Sequence, residues 1–475
     1  MIRRGIWFKT ATLLFVEAGI VLSVAVTSLH LRFPDWDRLV LLEQRGIYKI
    51  LFTTAICQFM FYLFDLYDVS KPRLHRELLT DLFQATGLAM LVLGVVFLLR
   101  PTMLLGYYED VENGVVVRVA DGIPVIALVI AMALMICWRL IIHWLMRHPK
   151  LGERVLIVGA DSLAIEIARE SLDRRDLGFK IVGFIAEDPK LVGRTLLNPK
   201  VIGTMDELDR VVRDERVDRV VVALQDRRGH MPVDQLLKIR LQGQAAIEEG
   251  TSLYERLTGK VNVGALRPSW IIFSSGAKRR TIWSALRRVF NFVLAAAGVI
   301  LSLPISVVAA IAIKLESPGA IFYSQERVGK NGRLFKIIKF RSMRQDAEGD
   351  GTPQWAQKGD PRITRVGNFI RKTRIDEIPQ FINILRGEMS FVGPRAERQF
   401  FVEQLSQQIP FFSQRHLVEP GLTGWAQVCY PYGSSVEDAV QKLQYDLYYI
   451  KNASLLFDIW IIFRTIKTVL FGAGR

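Results

Sequence analysis

The sequence predicts a membrane α-helical bundle, an α/β Rossmann-like domain, and a small membrane-associated α/β catalytic domain with a re-entrant helix. Three observations predict this fold class. Long apolar runs follow one another in the first third of the chain, and strand-like and helix-like segments alternate after it. A further apolar run at residues 289–313 is interrupted by Pro304. The predicted domain boundaries are 1–149, 150–275 and 276–475.

Composition narrows the class of partner. The chain has 475 residues, 50% of them hydrophobic, and a formal net charge of +15. Such a charge favours an anionic partner: nucleic acid, a membrane surface or a phosphorylated substrate. The long apolar runs favour membrane lipids as the anionic partner, and no nucleic acid is expected. Three cysteines predict neither a disulfide framework nor a zinc site.

Four apolar runs predict four transmembrane helices. Each approaches the ~20 residues that span a bilayer, and Glu17 is the one charge within them. The runs cover residues 11–31, 50–64, 82–99 and 123–138. No small-residue cleavage site follows the first run, so we do not expect it to be a signal peptide.

Lysine and arginine in the short loops predict the orientation. Basic residues cluster at the amino terminus, in the second loop and after the fourth run, where Arg139 is counted, whereas the third loop is acidic. By the positive-inside rule both ends of the bundle are cytoplasmic. The first loop, which is also basic, does not fit this pattern. The expected location is the bacterial inner membrane, multi-pass, with the active site facing the cytoplasm.

The middle segment predicts a parallel sheet. Strands are expected at residues 154–158, 180–186 and 219–224, with a helix at 162–172. The turn after the first strand keeps only Gly159 of a dinucleotide fingerprint, and Asp161 stands where a second glycine admits a pyrophosphate. A structural or regulatory Rossmann-like domain is therefore favoured over an NAD enzyme. A basic linker is expected at 276–280.

The run at 289–313 has no charge over 25 residues and has basic residues on both flanks. Proline in its middle removes a backbone hydrogen bond and kinks a helix. Because basic flanks favour the cytoplasmic side, we expect a helix that enters one leaflet and returns. A plain fifth span, with the carboxy-terminal part outside, is the alternative.

The segment 371–396 carries an acidic pair, Asp376 and Glu377, just before Pro379. Apolar residues then recur at helical spacing up to a glycine, which predicts a helix that starts at the pair. Arg371 lies among basic residues at this start, where an anion would be held. The alternative is that Asp376 is only a helix N-cap. Upstream, alternation at 336–343 predicts a strand with Lys339 and Arg341 on one face.

Five motifs in one order resemble the bacterial polyprenyl-phosphate sugar-1-phosphate transferases. They are KFRSM at 339–343, DEIPQ at 376–380, SFVGPR at 390–395, PGLTGWAQV at 420–428 and YDLYYI at 445–450. The whole chain is similar to the large form of the family, of the undecaprenyl-phosphate glucose phosphotransferase kind. Its carboxy-terminal part is most similar to the branch associated with exosortase and exopolysaccharide clusters.

This resemblance implies transfer of a sugar 1-phosphate from a UDP-sugar, with glucose favoured, to undecaprenyl phosphate. UMP is released, Mg²⁺ is required, and the reaction is the first membrane step of exopolysaccharide synthesis. By position, Asp376 is the nucleophile that forms a phosphosugar intermediate, and Glu377 with Asp376 holds the metal. Residues in family motifs near substrate phosphate are Arg371, Arg395, Lys339 and Arg341, and Pro304 matches the break of the re-entrant helix. The oligomeric state stays open, a homo-oligomer included.

The sequence departs from the family pattern at two positions. Ala396 stands where proline is frequent in the family, and no arginine follows Val428, which puts phosphate binding there in doubt.

A membrane nucleotide sensor or scaffold with an inactive transferase domain is one alternative function. The other is a transferase that makes a direct glycosidic bond. The carboxy-terminal amphipathic segment lies in the membrane interface or packs on its domain.

Overall fold

The structure is a computed structural model of the chain. It describes residues 2–32, 46–64, 66–67, 75–99, 107–110, 115–118, 123–146, 153–173, 179–224, 231–266, 281–344, 360–430, 433 and 435–470. The chain forms two compact units, residues 1–257 and 258–475. The predicted linker at 276–280 lies outside the described residues, and the predicted three-domain division stays a prediction.

The first unit begins with four helices at the four predicted apolar runs. They are α1 (Ile2–Arg32), α2 (Gly46–Leu63), α3 (His75–Leu99) and α4 (Ile123–Met146). A short antiparallel hairpin, β1 (Tyr107–Asp110) and β2 (Val115–Arg118), precedes α4. The four helices share one apolar core. In the described part of this unit only Leu79–Val96 is both long and apolar enough to cross a membrane, so four spans stay a prediction.

One charge counted for the orientation is buried. Arg139 lies within α4, and its Nε donates to Glu17 Oε1 of α1 at 2.5 Å. The Tyr67 hydroxyl also donates to Glu17, and Arg139 donates to the carbonyl of Leu66. The assignment of Arg139 to a loop is therefore wrong, because its charge is balanced inside the helical core.

A five-stranded parallel sheet follows. Its elements are β3 (Glu153–Val158), α5 (Ser162–Asp173), β4 (Phe179–Ala186), β5 (Val201–Thr204), α6 (Leu208–Asp214), β6 (Arg219–Val222), α7 (Val233–Leu241), β7 (Ala246–Glu249) and α8 (Gly250–Thr258). The strand order β5-β4-β3-β6-β7 confirms the Rossmann-like arrangement. Gly159 has φ +123°, and a Cβ there would lie 2.8 Å from the carbonyl oxygen of Ala223. This glycine therefore serves the close approach of two chain segments.

The second unit begins with a long helix and a hairpin. These are α9 (Thr281–Glu316), β8 (Phe322–Val328) and β9 (Leu334–Phe340), the two strands being antiparallel. Next come α10 (Arg365–Lys372), α11 (Gln380–Leu385), β10 (Ser390–Val392), α12 (Gln399–Gln408), β11 (Gly421–Thr423), α13 (Trp425–Cys429), α14 (Val436–Asn452) and α15 (Leu455–Leu470). Strands β10 and β11 pair in parallel. Gly387, at φ +77°, follows α11 and ends it as predicted.

Helix α9 contains Pro304 and is long and apolar enough to cross a membrane from Ser284 to Glu316. Its large side chains are mostly exposed, whereas small or carboxy-terminal positions such as Ala295 and Ile313 are buried against the unit. At Gly298 a Cβ would lie 2.8 Å from the Phe381 ring, so this glycine lets α9 pack closely on α11. The re-entrant path stays a prediction.

The carboxy-terminal helix is amphipathic, as predicted. Phe457 and Ile461 are buried, and the Phe457 ring packs edge-on against Trp425 at 5.5 Å between centroids. Leu456 and Phe463 are exposed. One face of α15 thus packs on the domain, which leaves the other face for the alternative contact with the membrane interface.

Candidate active site

The acidic pair lies at a break between two short helices. Arg374 adopts the left-handed backbone conformation (φ 59°), and a 3₁₀ turn at Ile375–Glu377 precedes α11. The N–H of Ile378 donates to the carbonyl of Ile375 in this 3₁₀ turn, and the α-helix begins only at Gln380, so no α-helix covers the pair. The predicted helix start at Asp376 is therefore wrong. Asp376 caps no helix, which also excludes the alternative that it is merely an N-cap.

Helix α10 is anchored at its amino end. The Glu316 carboxylate, at the end of α9, accepts hydrogen bonds from the backbone N–H groups of Arg365 at 2.7 Å and Val366 at 3.0 Å. A Cβ on Gly367 would lie only 2.0 Å from the carbonyl oxygen of Ser342, so a larger residue would displace the helix. These contacts fix α10, whose last turn carries Arg371, directly before the acidic pair.

Asn383 joins α11 to the free edge of β9. This fully buried side chain donates to the carbonyl of Lys336 at 2.8 Å and accepts from the backbone N–H of Ile338 at 3.0 Å. It also donates to Glu388 at 2.7 Å. The side chain thereby replaces a neighbouring strand, and it sets the position of Lys339 relative to the acidic pair.

Three cations surround one carboxylate of the pair. Glu377 Oε1 lies 3.3 Å from Lys339 Nζ, 3.4 Å from a terminal nitrogen of Arg395 and 3.5 Å from one of Arg374. The exposed fractions of Asp376 and Glu377 are 8% and 9%. Asp376 Oδ1 is buried and has no hydrogen-bond partner. The charge of Glu377 is therefore balanced by cations, whereas the Asp376 carboxylate has an oxygen without a partner and is called the unused carboxylate below.

The pKa shifts of the two carboxylates follow this difference. Burial, and then the charge of Glu377, raise the pKa of Asp376 to about 6, against the opposing effect of Lys339, Arg374 and Arg371. Burial alone would also raise the pKa of Glu377, but the cations outweigh it and hold that pKa well below its usual range. Burial lowers the pKa of Lys339, which Glu377 opposes. Both carboxylates are ionised at slightly alkaline pH.

Two glycines position the loop that carries Arg395. A Cβ on Gly393 would lie 2.3 Å from the carbonyl oxygen of Glu419, and one on Gly421 would lie 2.1 Å from the nitrogen of Gly393. The SFVGPR and PGLTGWAQV motifs therefore meet at this point, where β10 runs beside β11. Arg287 of α9 supports the same loop by donating to the carbonyl of Val392 at 2.7 Å.

A small cavity lies beside the pair, and two of its lining residues are cations that contact Glu377. Its polar lining comes from Arg327, Lys339, Arg395 and Gln380, and its other lining residues are Ile337, Met389, Ala396, Gly421 and Leu422. No acidic side chain belongs to this lining among the described residues. The cavity and the acidic pair thus share Lys339 and Arg395.

Comparisons with known proteins agree with the motifs. The bacterial sugar transferase family profile matches residues 282–472, and a CoA-binding domain profile matches residues 62–239. The UDP-glucose:undecaprenyl-phosphate glucose-1-phosphate transferase of Escherichia coli (strain K12) is 34% identical over 340 residues, 70% of each chain. The chain belongs to the bacterial sugar transferase family. This confirms the predicted polyprenyl-phosphate sugar-1-phosphate transferase relationship.

Two further relatives share parts of the transferase. The UDP-N-acetylgalactosamine-undecaprenyl-phosphate N-acetylgalactosaminephosphotransferase of Aeromonas hydrophila is 46% identical over 220 residues, 46% of this chain and 51% of the relative. The match thus spans about half the length of that relative. The exopolysaccharide production protein PSS of Rhizobium leguminosarum bv. phaseoli is 39% identical over 194 residues, 39% of this chain and 95% of the relative.

The structure brings most of the predicted site residues of the transferase together. Lys339 and Arg395 contact Glu377 directly, and Arg371 acts on Asp376 through its charge at longer range. Arg341 is not part of this group. Strand β9 ends before it, and its guanidinium donates to the carbonyls of Pro318 at 2.6 Å and Ser317 at 2.8 Å. The expectation that Lys339 and Arg341 share one strand face is therefore wrong.

The acidic pair of the transferase offers Mg²⁺ two carboxylates, of which Asp376 forms no ion pair with the described residues, whereas Glu377 is shared with three cations. This ion prefers carboxylate and phosphate oxygens and is held by one or two carboxylates together with substrate phosphates. Asp376 Oδ1 is buried without a partner, next to the carboxylate of Glu377. No group of three or more potential ligands occurs among the described residues, so substrate oxygens and water would complete the coordination.

Sequence reasoning missed two buried polar side chains of this site. Asn383 stands between Ile382 and Ile384 in an otherwise apolar stretch, and this interruption was the available signal. Gln380 follows Pro379 in the DEIPQ motif and gave no signal of its own, because a glutamine in a first helical turn is ordinary.

Proposed function

We propose that the protein transfers a sugar 1-phosphate from a UDP-sugar to undecaprenyl phosphate and releases UMP, as the first membrane step of exopolysaccharide synthesis. The observation that carries this proposal is the unused carboxylate of Asp376 beside a Glu377 neutralised by three cations. A buried carboxylate without a partner is unfavourable unless a ligand or a reaction uses it.

Asp376 is the nucleophile of the proposed reaction. One of its oxygens attacks the β-phosphorus of the UDP-sugar, the bond from that phosphorus to the bridging oxygen breaks, and UMP leaves with the electron pair. An oxygen of undecaprenyl phosphate then attacks the same phosphorus and displaces Asp376 as a carboxylate. Neither step requires a proton acceptor.

The cations lower the repulsion between the carboxylate and its anionic substrate. Lys339, Arg395 and Arg374 neutralise Glu377 and leave a net positive charge around the site. Asp376 and Glu377 would hold Mg²⁺ together with substrate oxygens, and the bound ion would further neutralise phosphate charge. Arg371 adds positive charge on the side of Asp376.

The contacts of α9 support a re-entrant helix and a cytoplasmic active site. Near its start, Arg287 binds the carbonyl of Val392, and at its end Glu316 binds the amides of Arg365 and Val366. A helix that crossed the ~30 Å hydrocarbon core would separate these ends by the bilayer. Both ends instead bind the segment around the active site, which supports their placement on one side.

Thiol labelling tests this topology. Single cysteines at Ser284 and Ser317, in a variant without Cys57, Cys137 and Cys429, are treated with a membrane-impermeant reagent. In sealed vesicles of known orientation we expect both positions to react from the cytoplasmic face. Reaction from opposite faces would establish the plain fifth span.

The released nucleotide tests the reaction. Purified protein with Mg²⁺, undecaprenyl phosphate and one of several UDP-sugars should release UMP and form a diphosphate-linked lipid. Glucose is the favoured sugar, and N-acetylgalactosamine is the second candidate because relatives of both kinds match the chain. Release of UDP would support the glycosidic-bond alternative, and no release with any sugar would support the inactive scaffold.

A further inference from the structure

The cavity beside the acidic pair is lined by hydrogen-bond donors. Arg327, Lys339 and Arg395 carry only donors, and all three are charged. The fourth polar lining residue, Gln380, is 3% exposed, and its amide nitrogen has no hydrogen-bond partner. The Nε of Arg327 is likewise buried without a partner. Since buried donors in proteins nearly always have acceptors, these two donors indicate an acceptor group that comes from outside the chain.

The chemistry of that group follows from the lining. It must accept several hydrogen bonds and suit a basic lining, because Arg327, Lys339 and Arg395 line the cavity. Their carboxylate partners, Glu397 and Glu377, do not belong to the described lining. Phosphoryl oxygens meet both requirements. The cavity also lies where a second phosphate is needed, because Lys339 and Arg395 line it and also contact Glu377 of the acidic pair.

We propose that Gln380 is a substrate-binding residue that donates from its amide to a phosphate group next to the one attacked by Asp376. This inference rests on the proposed function, in which each half-reaction brings a second phosphate to the site. Two sources share this chemistry, the nucleotide α-phosphate that leaves in UMP and the phosphate of the lipid acceptor.

Two substitutions separate this role from packing. Gln380→Met keeps the length and volume of the side chain and removes its donors. Gln380→Glu keeps the shape but places a carboxylate among three cations, which should leave the thermal midpoint equal or higher while occupying the anion site. Gln444→Met is the control, because Gln444 likewise has one buried side-chain amide atom without a partner, its oxygen, but does not line the cavity.

The measurement is titration calorimetry of the full chain in detergent, with UMP and with inorganic phosphate, together with the thermal midpoint. We expect Gln380→Met to weaken UMP binding about ten- to hundred-fold, as for the loss of a hydrogen bond to a charged group. Gln380→Glu should weaken it further without loss of stability, and Gln444→Met should bind as the wild type does.

A second arm identifies the source of the phosphate. A raised dissociation constant for UMP in Gln380→Met assigns the site to the nucleotide, whereas an unchanged constant with a raised KM for undecaprenyl phosphate assigns it to the lipid. Wild-type values for both would overturn the inference, and so would unfolding of Gln380→Glu. The UMP titration needs no turnover, so a protein that released UDP would refute the proposed function separately.

Discussion

Two of the buried carboxylate sites in the second unit have opposite charge balance. In one, Asp458 accepts from Arg287 Nε at 2.6 Å and from the Tyr449 hydroxyl at 2.7 Å, so one cation and one neutral donor satisfy one carboxylate. In the other, three cations surround Glu377 while Asp376 Oδ1 has no partner. The first site is complete without a ligand, and the second is not.

This difference in charge balance indicates that the Asp458 site has a structural role and the acidic pair a catalytic one. A matched and fully hydrogen-bonded ion pair in the interior holds elements together, and the removal of either member leaves an uncompensated charge. An excess of cations beside an unused carboxylate has the opposite property, because it is stabilised by an anion that arrives with the substrate. The two sites meet at the loop after β10, where Arg287 binds the carbonyl of Val392.

The largest expected effect is on turnover. Asp376→Asn should reduce the rate by a factor on the order of 10³ or more, because the nucleophile is lost. The thermal midpoint should stay equal or rise, because Asn removes a buried charge without a partner. Rate and unfolding are measured on the same preparation. A folded Asp376→Asn protein with wild-type turnover would contradict the assignment.

The matched scaffold substitution should behave in the reverse way. Asp458→Asn leaves Arg287 buried without its counter-charge, and loss of one member of a buried pair destabilises by about 3–5 kcal/mol. We expect a clearly lower thermal midpoint, while the protein that remains folded keeps its sugar-transfer chemistry. An unchanged midpoint would show that the Arg287–Asp458 pair does not hold the unit together.

A single cation of the active site should matter for substrate more than for stability. Lys339→Met leaves two cations near Glu377, so little stability is lost, but we expect kcat/KM to fall about ten- to hundred-fold. Lys330→Met is the control, because Lys330 pairs with Glu419 at the surface, 2.7 Å away. Equal losses in the two variants would remove the distinction between site and surface.

The smallest expected effect is a pH dependence in the scaffold. Burial, and then the neighbouring charge of Arg415, lower the pKa of His416 to about 4. The unfolded chain therefore binds a proton between pH 6.5 and 4 that the folded chain does not, and stability falls as the pH falls through that range. His416→Asn should lose fewer degrees of thermal midpoint between pH 7.5 and 5 than the wild type. An identical pH dependence would contradict the shift.

Patterns along the chain predicted most of the elements. The strands at 154–158, 180–186 and 219–224 and the helix at 162–172 agree with the structure within about two residues, because a buried parallel sheet has a strong local signature. The place of the acidic pair, and the approach of Lys339 and Arg395 to it, followed from the motifs.

Contacts between distant segments could not be predicted in the same way. The sequence around Arg341 does not show that this residue binds the turn after α9. Nor does the sequence show that Arg139 of α4 pairs with Glu17 of α1. The break at the acidic pair consists of the left-handed backbone of Arg374 and a 3₁₀ turn, which the helical spacing of apolar residues does not predict. Such features depend on hydrogen bonds between distant segments, which local periodicity does not predict.

The most direct test of the central claim is to trap the phosphosugar on Asp376. A UDP-sugar that supports turnover, labelled in the β-phosphate, is mixed with the protein and Mg²⁺ without lipid and then quenched with denaturant. We predict label on wild-type protein, none on Asp376→Asn, and transfer of the label to undecaprenyl phosphate added before the quench. Equal labelling of Asp376→Asn, or a wild-type protein that forms product in a single turnover without carrying label, would contradict the account.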